Sequence, residues 1–135
     1  MQKREQPEKL RCRELAVSFT VTDIEKSVAW YRDVFGLHLQ EAVEEDGRLT
    51  GAIFVAGQLK LFLSQDDFAR GHIRVKGQGF RVWLATAQNV DELAAGIKER
   101  GGALDSEPED REWGARDFSL VDPDGYNITV TTLLR

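Results

Sequence analysis

The sequence has few of the residues that build several common kinds of functional site. Its 135 residues include one cysteine, Cys12, and two histidines, His38 and His72. A single cysteine excludes an internal disulfide framework. Cys12 also lies in a charged segment without a nearby histidine, so nothing in the sequence marks it as a nucleophile.

The chain also lacks an excess of positive charge and any long apolar run. It has 18 Lys and Arg against 23 Asp and Glu, which gives a formal net charge of -5 and a pI of about 5.1. This balance argues against a nucleic-acid partner, which needs a basic face, and fits a cationic ligand better. No window approaches the ~18 apolar residues of a membrane span, and the N-terminus is charged where a signal peptide is apolar. We therefore expect a cytoplasmic protein with no membrane partner.

The length is that of one domain with a sizeable core and is too short for two ordinary domains. Residues 1–13 hold nine charged or glutamine positions and almost no apolar ones. Such a segment cannot bury enough apolar surface to order itself, so it predicts a flexible charged N-terminal arm or a tail that docks on a partner. Residues 14–135 are expected to form the single domain.

The first half of this domain, about residues 14–65, predicts a strand, a helix and three further strands. Residues 14–21 alternate strictly, with Leu15, Val17, Phe19 and Val21 on one face. The next four residues, 22–25, read as a capping box, with Thr22 as the N-cap of a helix that ends at Gly36. Three strand-like runs follow, at residues 37–44, 49–56 and 59–64, and they are separated by turn signals.

The same pattern returns over about residues 79–133, after a polar and glycine-rich connector at 66–78. Residues 80–86 predict a strand, Asn89 the cap of a second helix that stops at Gly101, and residues 103–107 another strand. The two helix starts, Thr22 and Asn89, are 67 residues apart. This spacing predicts an internal duplication: an α+β fold of two tandem βαβββ modules.

A hairpin over residues 113–130 closes the second module. Pro123 fixes the second position of a tight turn, Asp122 suits the first and Gly125 the last. On both sides of the turn apolar residues alternate with polar ones, and the polar set includes Asn127 and Thr129. A polar face inside a small sheet predicts a cavity lined by these side chains.

These features together resemble the vicinal oxygen chelate superfamily of glyoxalases, bleomycin resistance proteins and dioxygenases. The resemblance rests on the tandem modules, on residues 23–37 (DIEKSVAWYRDVFGL) and on the DPDGY turn at 122–126, and it covers about residues 14–133. Residues 61–64 (LFLS) and 113–118 (WGARDF) look most like the bleomycin resistance branch. The resemblance implies a curved mixed sheet around a ligand cleft, and a homodimer with ligand sites in or beside its interface.

The metal-dependent members of that superfamily place histidine or carboxylate ligands on the first, fourth, fifth and last strands. The matching positions in this sequence are Ala16, Lys60 or Phe62, Phe80 or Arg81, and Thr129. None of these is a carboxylate or an imidazole, whereas a catalytic metal needs about three such ligands and an open position. The resemblance therefore predicts no metal, no other cofactor and no catalytic residue.

The remaining prediction is a binding cleft with aromatic platforms and a few directed polar groups. The first hypothesis is a metal-free protein that sequesters a flat, partly aromatic and antibiotic-like molecule. In one form of this hypothesis the molecule is cationic. Its predicted ligand-binding residues are Ser18, Phe62, Arg81, Trp83, Trp113, Asn127 and Thr129. Arg81 is equally readable as an interface ion-pair partner, and Trp113 as a structural residue at a corner.

Two other hypotheses remain open. One is a superfamily enzyme of the lyase, isomerase or dioxygenase type, with a shifted metal site or with metal-free acid/base chemistry. The residues that could support it make no recognised spacing: His38, His72, Glu14, Asp117 and Glu112. The other is a regulatory interaction module, which the charged N-terminal arm would suit.

Overall fold

The protein folds into two four-stranded mixed sheets, each with one helical segment between its first and second strands. The computed structural model describes residues 8–133. The first module comprises β1 (Ala16–Val21), α1 (Ile24–Ala29), a π-helical continuation of α1 (Trp30–Phe35), β2 (His38–Glu45), β3 (Arg48–Ala56) and β4 (Leu59–Gln65). The second comprises β5 (Arg81–Thr86), α2 (Val90–Glu99), β6 (Ser106–Asp110), β7 (Arg116–Val121) and β8 (Asn127–Thr132).

The two sheets have the same topology. The strand order is β1-β4-β3-β2 in the first and β5-β8-β7-β6 in the second, and in each the first strand pairs in parallel with the fourth. All other pairings are antiparallel. The predicted α+β class and the tandem βαβββ modules are therefore confirmed. None of the helices formed by residues 8–133 has the length and apolar character that a membrane-spanning segment requires.

The predicted N-terminal arm, residues 1–13, lies partly outside the described residues, which begin at residue 8. Residues 8–15 form no helix or strand, so β1 begins at Ala16 and not at the predicted residue 14. The side chain of Leu15 is 86% exposed, although it continues the apolar alternation of the strand. Alternation alone therefore overextends this strand, because no partner strand pairs with residues 14 and 15.

The first helix begins one residue later than its sequence pattern predicts. Asp23, not Thr22, is the N-cap, and its carboxylate accepts a hydrogen bond from the Lys26 amide at 3.2 Å. Thr22 instead donates its backbone N–H to the Asp124 carboxylate of the other module. The helix ends at Gly36, which has a φ of 94° that favours glycine. The capping box thus fails because a tertiary contact takes the backbone group that it would have used.

One strand lies further along the chain than its sequence pattern predicts. The strand expected at residues 103–107 is Ser106–Asp110, so it includes the acidic residues Glu107, Glu109 and Asp110. This strand lies at the edge of its sheet, where charged side chains can reach water. Arginines offset its charge, since Arg111 contacts Glu109 and Arg116 contacts Asp110.

Buried apolar side chains of both modules form one continuous core. At the junction between the modules, the Phe19 ring of β1 stacks on the Tyr126 ring beside β8, with centroids 4.1 Å apart. The Tyr126 hydroxyl donates to the Thr20 carbonyl oxygen at 2.8 Å. The hairpin turn is thereby attached to the first strand of the other module.

The turn of the hairpin forms as predicted and carries a buried polar network. The Gly125 amide donates to the Asp122 carbonyl oxygen at 3.0 Å, which closes the tight turn. The Asp122 carboxylate accepts from the Tyr31 hydroxyl at 2.7 Å and from the backbone amides of Asp124 and Tyr126. Burial, together with the neighbouring Asp122 carboxylate, raises the pKa of Tyr31, so its hydroxyl remains a donor. The turn is thus anchored on a helix of the first module.

Burial also raises the pKa of Asp122, and this predicts a pH dependence. A raised folded-state pKa means that the contribution of this carboxyl to stability is fully present below its unfolded pKa, about 3.9, and is lost as pH rises through the folded value. We subtract the free energy of unfolding of Asp122→Asn from that of the wild type. This difference should fall as pH increases from about 4. Urea unfolding of both proteins across pH measures this difference, in which the other carboxyl groups cancel. A difference that rises with pH would contradict the burial argument.

Candidate functional site

Each sheet has a polar face on the side away from the core. In the first sheet Ser18 lies opposite Phe62, and Phe62 lies opposite Ile53 on the next strand. We call this surface the first polar face. It opens into a cavity of about 450 Å³ lined by Ser18, Gly51, Ile53 and Phe62 among others. The cavity is therefore lined by an aromatic ring, aliphatic side chains, three hydroxyl side chains (Ser18, Thr50 and Ser64) and the Glu45 carboxylate.

The second polar face lies on the second sheet and is richer in hydrogen-bonding groups. Arg81 of β5 is opposite Asn127 of β8, and Trp83 is opposite Thr129. The Arg81 Nη1 donates to the Thr129 Oγ1 at 2.8 Å, and the Asn127 Nδ2 donates to the Phe80 carbonyl oxygen at 3.3 Å. Thr129 is buried, but Trp83 is 48% exposed. The face thus presents an open indole beside a fixed guanidinium.

The seven predicted site residues fall into separate places within one chain. Ser18 and Phe62 adjoin on the first polar face, and four residues, Arg81, Trp83, Asn127 and Thr129, adjoin on the second. Between residues 8 and 133, no hydrogen bond, ion pair or ring contact joins these two groups. Trp113 lies between β6 and β7 and is 59% exposed. A single chain therefore does not assemble all seven around one cavity.

The second polar face also holds residues outside the predicted set. Asp117 is 3% exposed, and its Oδ1 accepts from the Arg111 Nε and Nη2 at 2.8 Å each. The hydroxyl oxygens of Ser119 and Ser106 lie 2.7 Å apart, which is a hydrogen-bond distance. The alternation of β7 carries the missed signal, because Asp117 and Ser119 alternate with the apolar Phe118 and Leu120.

One hydroxyl on this face has no hydrogen-bond partner among the described residues. The Thr131 Oγ1 is completely buried, opposite Ala85 on β5 and Asp117 on β7. A buried hydroxyl without a partner is unfavourable, so an ordered water or a ligand atom that bonded to it would stabilise this position.

The residues that could support an enzyme do not converge. His38 is exposed on β2, and His72 stacks on Phe68 in the connector with centroids 4.4 Å apart. The Glu14 carboxylate lies 3.6 Å from the Lys60 Nζ, and Glu112 is exposed. Across residues 8–133, no group of three or more His, Cys, Asp or Glu side chains could hold a metal ion.

The paired βαβββ modules, the DPDG turn and the two polar faces define a class of protein. The chain belongs to the Glyoxalase/Bleomycin resistance protein/Dioxygenase superfamily, whose sequence model matches residues 15–130. The resemblance inferred from the sequence is therefore confirmed at the level of the superfamily.

Two curated relatives match along most of this chain. The uncharacterized protein YraH of Bacillus subtilis (strain 168) is 27% identical over 128 residues, which cover 89% of this chain and 98% of YraH. The lactoylglutathione lyase GLX1 of Arabidopsis thaliana is 26% identical over 128 residues, which cover 92% of this chain. These residues are only 45% of that enzyme, so the chain spans less than half of its length.

Solved structures show the same fold. TioX from Micromonospora sp. ML1 superposes with a TM-score of 0.74 at 21% identity, over 91% of this chain and 100% of TioX. A glyoxalase/bleomycin resistance protein from Streptomyces sp. CB03234 gives a TM-score of 0.68 at 25% identity, over 88% of this chain and 99% of that protein.

The metal ion used by many superfamily enzymes does not fit the residues of this chain. Ala16 has no donor atom, and the Thr129 hydroxyl already accepts a hydrogen bond from Arg81. The Arg81 guanidinium stays protonated, so a cation occupies the neighbourhood in which the metal would have to lie. On β4, the two residues that the resemblance allows at the ligand position are Lys60, which is cationic, and Phe62, which has no donor atom. The inherited positions are therefore unsuited to a divalent ion.

Proposed function

We propose that this protein binds and sequesters a flat, partly aromatic small molecule without a metal, and that it does so as a homodimer. The observation that supports the proposal is the contact between Arg81 and Thr129, because it puts a guanidinium beside the residue that the resemblance aligns with the last superfamily metal ligand. Catalysis through a Lewis acid would need that position for an anionic or neutral ligand. A binding protein can use the same position as a hydrogen-bond donor.

The second polar face supplies the features that a planar ligand requires. Half of the Trp83 surface is exposed, and aromatic faces stack on flat ligands with little loss of side-chain entropy. Arg81 lies two residues away on the same face of β5, and no carboxylate of the described chain pairs with it. Its guanidinium therefore keeps donors that can orient a carbonyl or carboxylate of the ligand.

The local charge favours a neutral or anionic ligand at this face. The buried Asp117 is neutralised by Arg111, whereas Arg81 has no anionic partner within the described part of the chain. A cationic ligand, which the net charge of -5 suits, would meet repulsion from Arg81. Ligands of both charges therefore belong in any binding panel.

A homodimer would complete the site. Ser18 and Phe62 lie on a different sheet from Arg81 and Trp83, and β1 and β5 each end their sheet with one unpaired edge. If a second copy brings its first polar face to the second polar face of this chain, an aromatic residue of each would flank one cleft. Planar ligands bind well between two aromatic platforms.

We predict that Trp83→Ala and Phe62→Ala each weaken binding of a planar ligand about tenfold or more, because each removes one aromatic platform. Isothermal titration against planar glycopeptide, neutral and anionic aromatic ligands measures the affinity. The matched control is Trp30→Phe, since Trp30 packs on Tyr31 and Phe35 on the helical side. Arg81→Gln should lower the affinity for anionic ligands only.

Three outcomes would contradict the proposal. Ligands that bind equally well to wild type, Trp83→Ala and Phe62→Ala would place the site elsewhere. A stoichiometric divalent ion in protein purified without added metal would refute its metal-free form. A monomeric mass by light scattering, both with and without ligand, would refute the dimer.

A lyase is the second candidate, and the name of the Arabidopsis relative is the observation that favours it. The argument is limited because this chain matches less than half of that enzyme and lacks ligands at Ala16 and Thr129. An assay of lactoylglutathione cleavage tests it directly. Turnover that Thr129→Val leaves unchanged would establish an enzyme with different chemistry from that of its metal-dependent relatives.

A further inference from the structure

A large cavity lies between the two modules and away from both polar faces. Its volume is about 620 Å³, and it is open to solvent. None of the seven predicted ligand residues lines it. It extends from the end of the π-helical segment and the β3–β4 turn in the first module to the end of β5 and to α2 in the second. We call it the intermodule groove.

The walls of the intermodule groove combine an apolar surface with polar side chains, among them Gln58, Thr86 and Gln88. Phe35, Leu59, Leu84 and Leu93 are half-buried core residues that line it, and the buried Ile97 and Phe118 also contribute. A cavity of this size lies within the range of roughly 300–1,000 Å³ that holds small ligands. An apolar tail that packs on these side chains removes apolar surface from water, which is favourable. The walls therefore suit an aliphatic or aromatic tail.

A cationic side chain is fixed at the rim of the intermodule groove. Arg100 follows the end of α2, and its Nε donates to the Val34 carbonyl oxygen at 3.0 Å. Two glycines make room for the guanidinium: a Cβ at Gly36 would lie 3.2 Å from Nη2, and a Cβ at Gly96 would lie 3.0 Å from Nη1. One hydrogen bond thus orients the head group, and the two glycines leave the space that it occupies.

The guanidinium of Arg100 has no anionic partner among residues 8–133, and its two terminal nitrogens make no hydrogen bond there. Guanidinium groups bind carboxylates through two parallel hydrogen bonds. A fixed guanidinium at the mouth of this groove therefore complements a molecule with a carboxylate head and an apolar tail. Helix capping accounts for the Val34 contact, but it does not account for the apolar surface of the open groove.

The geometry points to a second ligand site in the intermodule groove, which binds an amphipathic carboxylate with its tail between the modules and its head on Arg100. The inference is independent of the proposed function, because the two sites share none of the residues that carry them. The proposed ligand is a medium-length carboxylate, and decanoate is the probe.

Titration of the full chain with hexanoate, octanoate and decanoate, all below their micelle concentrations, tests the tail. Affinity should rise by up to about fourfold per methylene, since each buried CH₂ contributes about 0.8 kcal/mol. Ala87→Trp should abolish this gain, because Ala87 lines the groove and is exposed, so that a large side chain there blocks it without disturbing the core.

Head-group recognition is tested with decanol and decyltrimethylammonium against Arg100→Gln. This substitution should lower the affinity for decanoate about tenfold and leave the affinity for decanol unchanged. Arg70→Gln, at an exposed connector position, is the matched control and should change neither. Trp83→Ala should also leave decanoate binding unchanged, which separates this site from the second polar face. Melting temperatures establish that each variant is folded.

Three results would overturn the inference. The first is an absence of saturable decanoate binding, which is also the result expected if a second copy of the chain covers the groove. The second is an affinity that does not change with chain length. The third is an Arg100→Gln variant that is less stable but binds decanoate and decanol as the wild type does, because Arg100 would then be only a helix cap.

Discussion

Replacing Gly77 with alanine should lower the free energy of unfolding by at least about 3 kcal/mol, a fall in melting temperature on the order of 10 °C. A Cβ at this position would lie 2.5 Å from the Gly125 carbonyl oxygen and 2.8 Å from the Tyr126 Cα. Both are backbone atoms, so no change of rotamer can relieve the overlap. The connector or the hairpin turn would have to move, and the turn is held by the buried Asp122 network.

Gly79→Ala is the matched control for this prediction. Gly77 and Gly79 have similar φ values, 75° and 71°, but nothing lies within 4 Å of a Cβ built at Gly79. Gly79→Ala should therefore cost only about 1 kcal/mol, the cost of the left-handed conformation. Thermal and urea unfolding of both variants measure the difference between them. Equal losses would show that the connector yields easily and that its contact with the turn is unimportant.

The same connector contains a buried ion pair that its amino-acid composition does not indicate. The Lys76 Nζ lies 3.0 Å from the Asp66 Oδ2, and both side chains are at most 5% exposed. Lys76 also donates to the Thr22 Oγ1 at 3.2 Å. A segment rich in polar residues and glycine predicts an exposed loop, because charged residues are rarely buried without a partner. Here the partner lies ten residues away in sequence, and no local pattern marks the pair.

The parts of the fold that sequence predicts well are those with local physical causes. The signals for the hairpin lie within a few positions of each other: the alternation in β8 and the turn residues Asp122, Pro123 and Gly125. The structure has the expected hairpin. Asn89 likewise caps α2 by accepting from the Glu92 amide. Where a local signal competes with a distant partner, as at Thr22 and Asp23, the distant contact decides the outcome.

The candidate site is predictable only in part, because its contacts depend on register between distant strands. Alternation places Arg81 and Thr129 each on a polar face, but their contact joins residues 48 positions apart. That contact depends on the parallel pairing of β5 with β8, which a single sequence does not display. The intermodule groove is still less predictable, since its walls are ordinary core residues whose facing surfaces simply fail to meet.

The hairpin turn connects this register to the stability of the fold. Asp122 holds the start of β8 through the Tyr126 amide and holds the first module through the Tyr31 hydroxyl. Thr129 of β8 lies three residues after Tyr126, so the position of the turn fixes which β8 residue lies opposite Trp83. A family signature in the turn therefore determines the geometry of the second polar face, although it contributes no group to it.

Thr129→Glu should bind no zinc, even though it restores a carboxylate at a superfamily ligand position. A zinc site needs three or four protein ligands, and Ala16 and the middle strands supply none. The new carboxylate should instead pair with the Arg81 guanidinium, which is already within hydrogen-bond reach of this position. Removing that partner would leave a buried carboxylate unpaired, a change that is strongly destabilising.

A double-mutant cycle between Thr129→Glu and Arg81→Ala should therefore show a coupling free energy on the order of 3 kcal/mol. The same cycle with Thr129→Gln is the control, and its coupling should stay below about 1 kcal/mol because a neutral amide can bond to other groups. Urea unfolding gives both values, and zinc titration of each variant tests the ligand set. Tight zinc binding by Thr129→Glu would show that other ligands lie nearby and that the metal-free assignment is wrong. Equal coupling for Glu and Gln would show that the Arg81 charge does not occupy this position, because only an ionised side chain distinguishes the two.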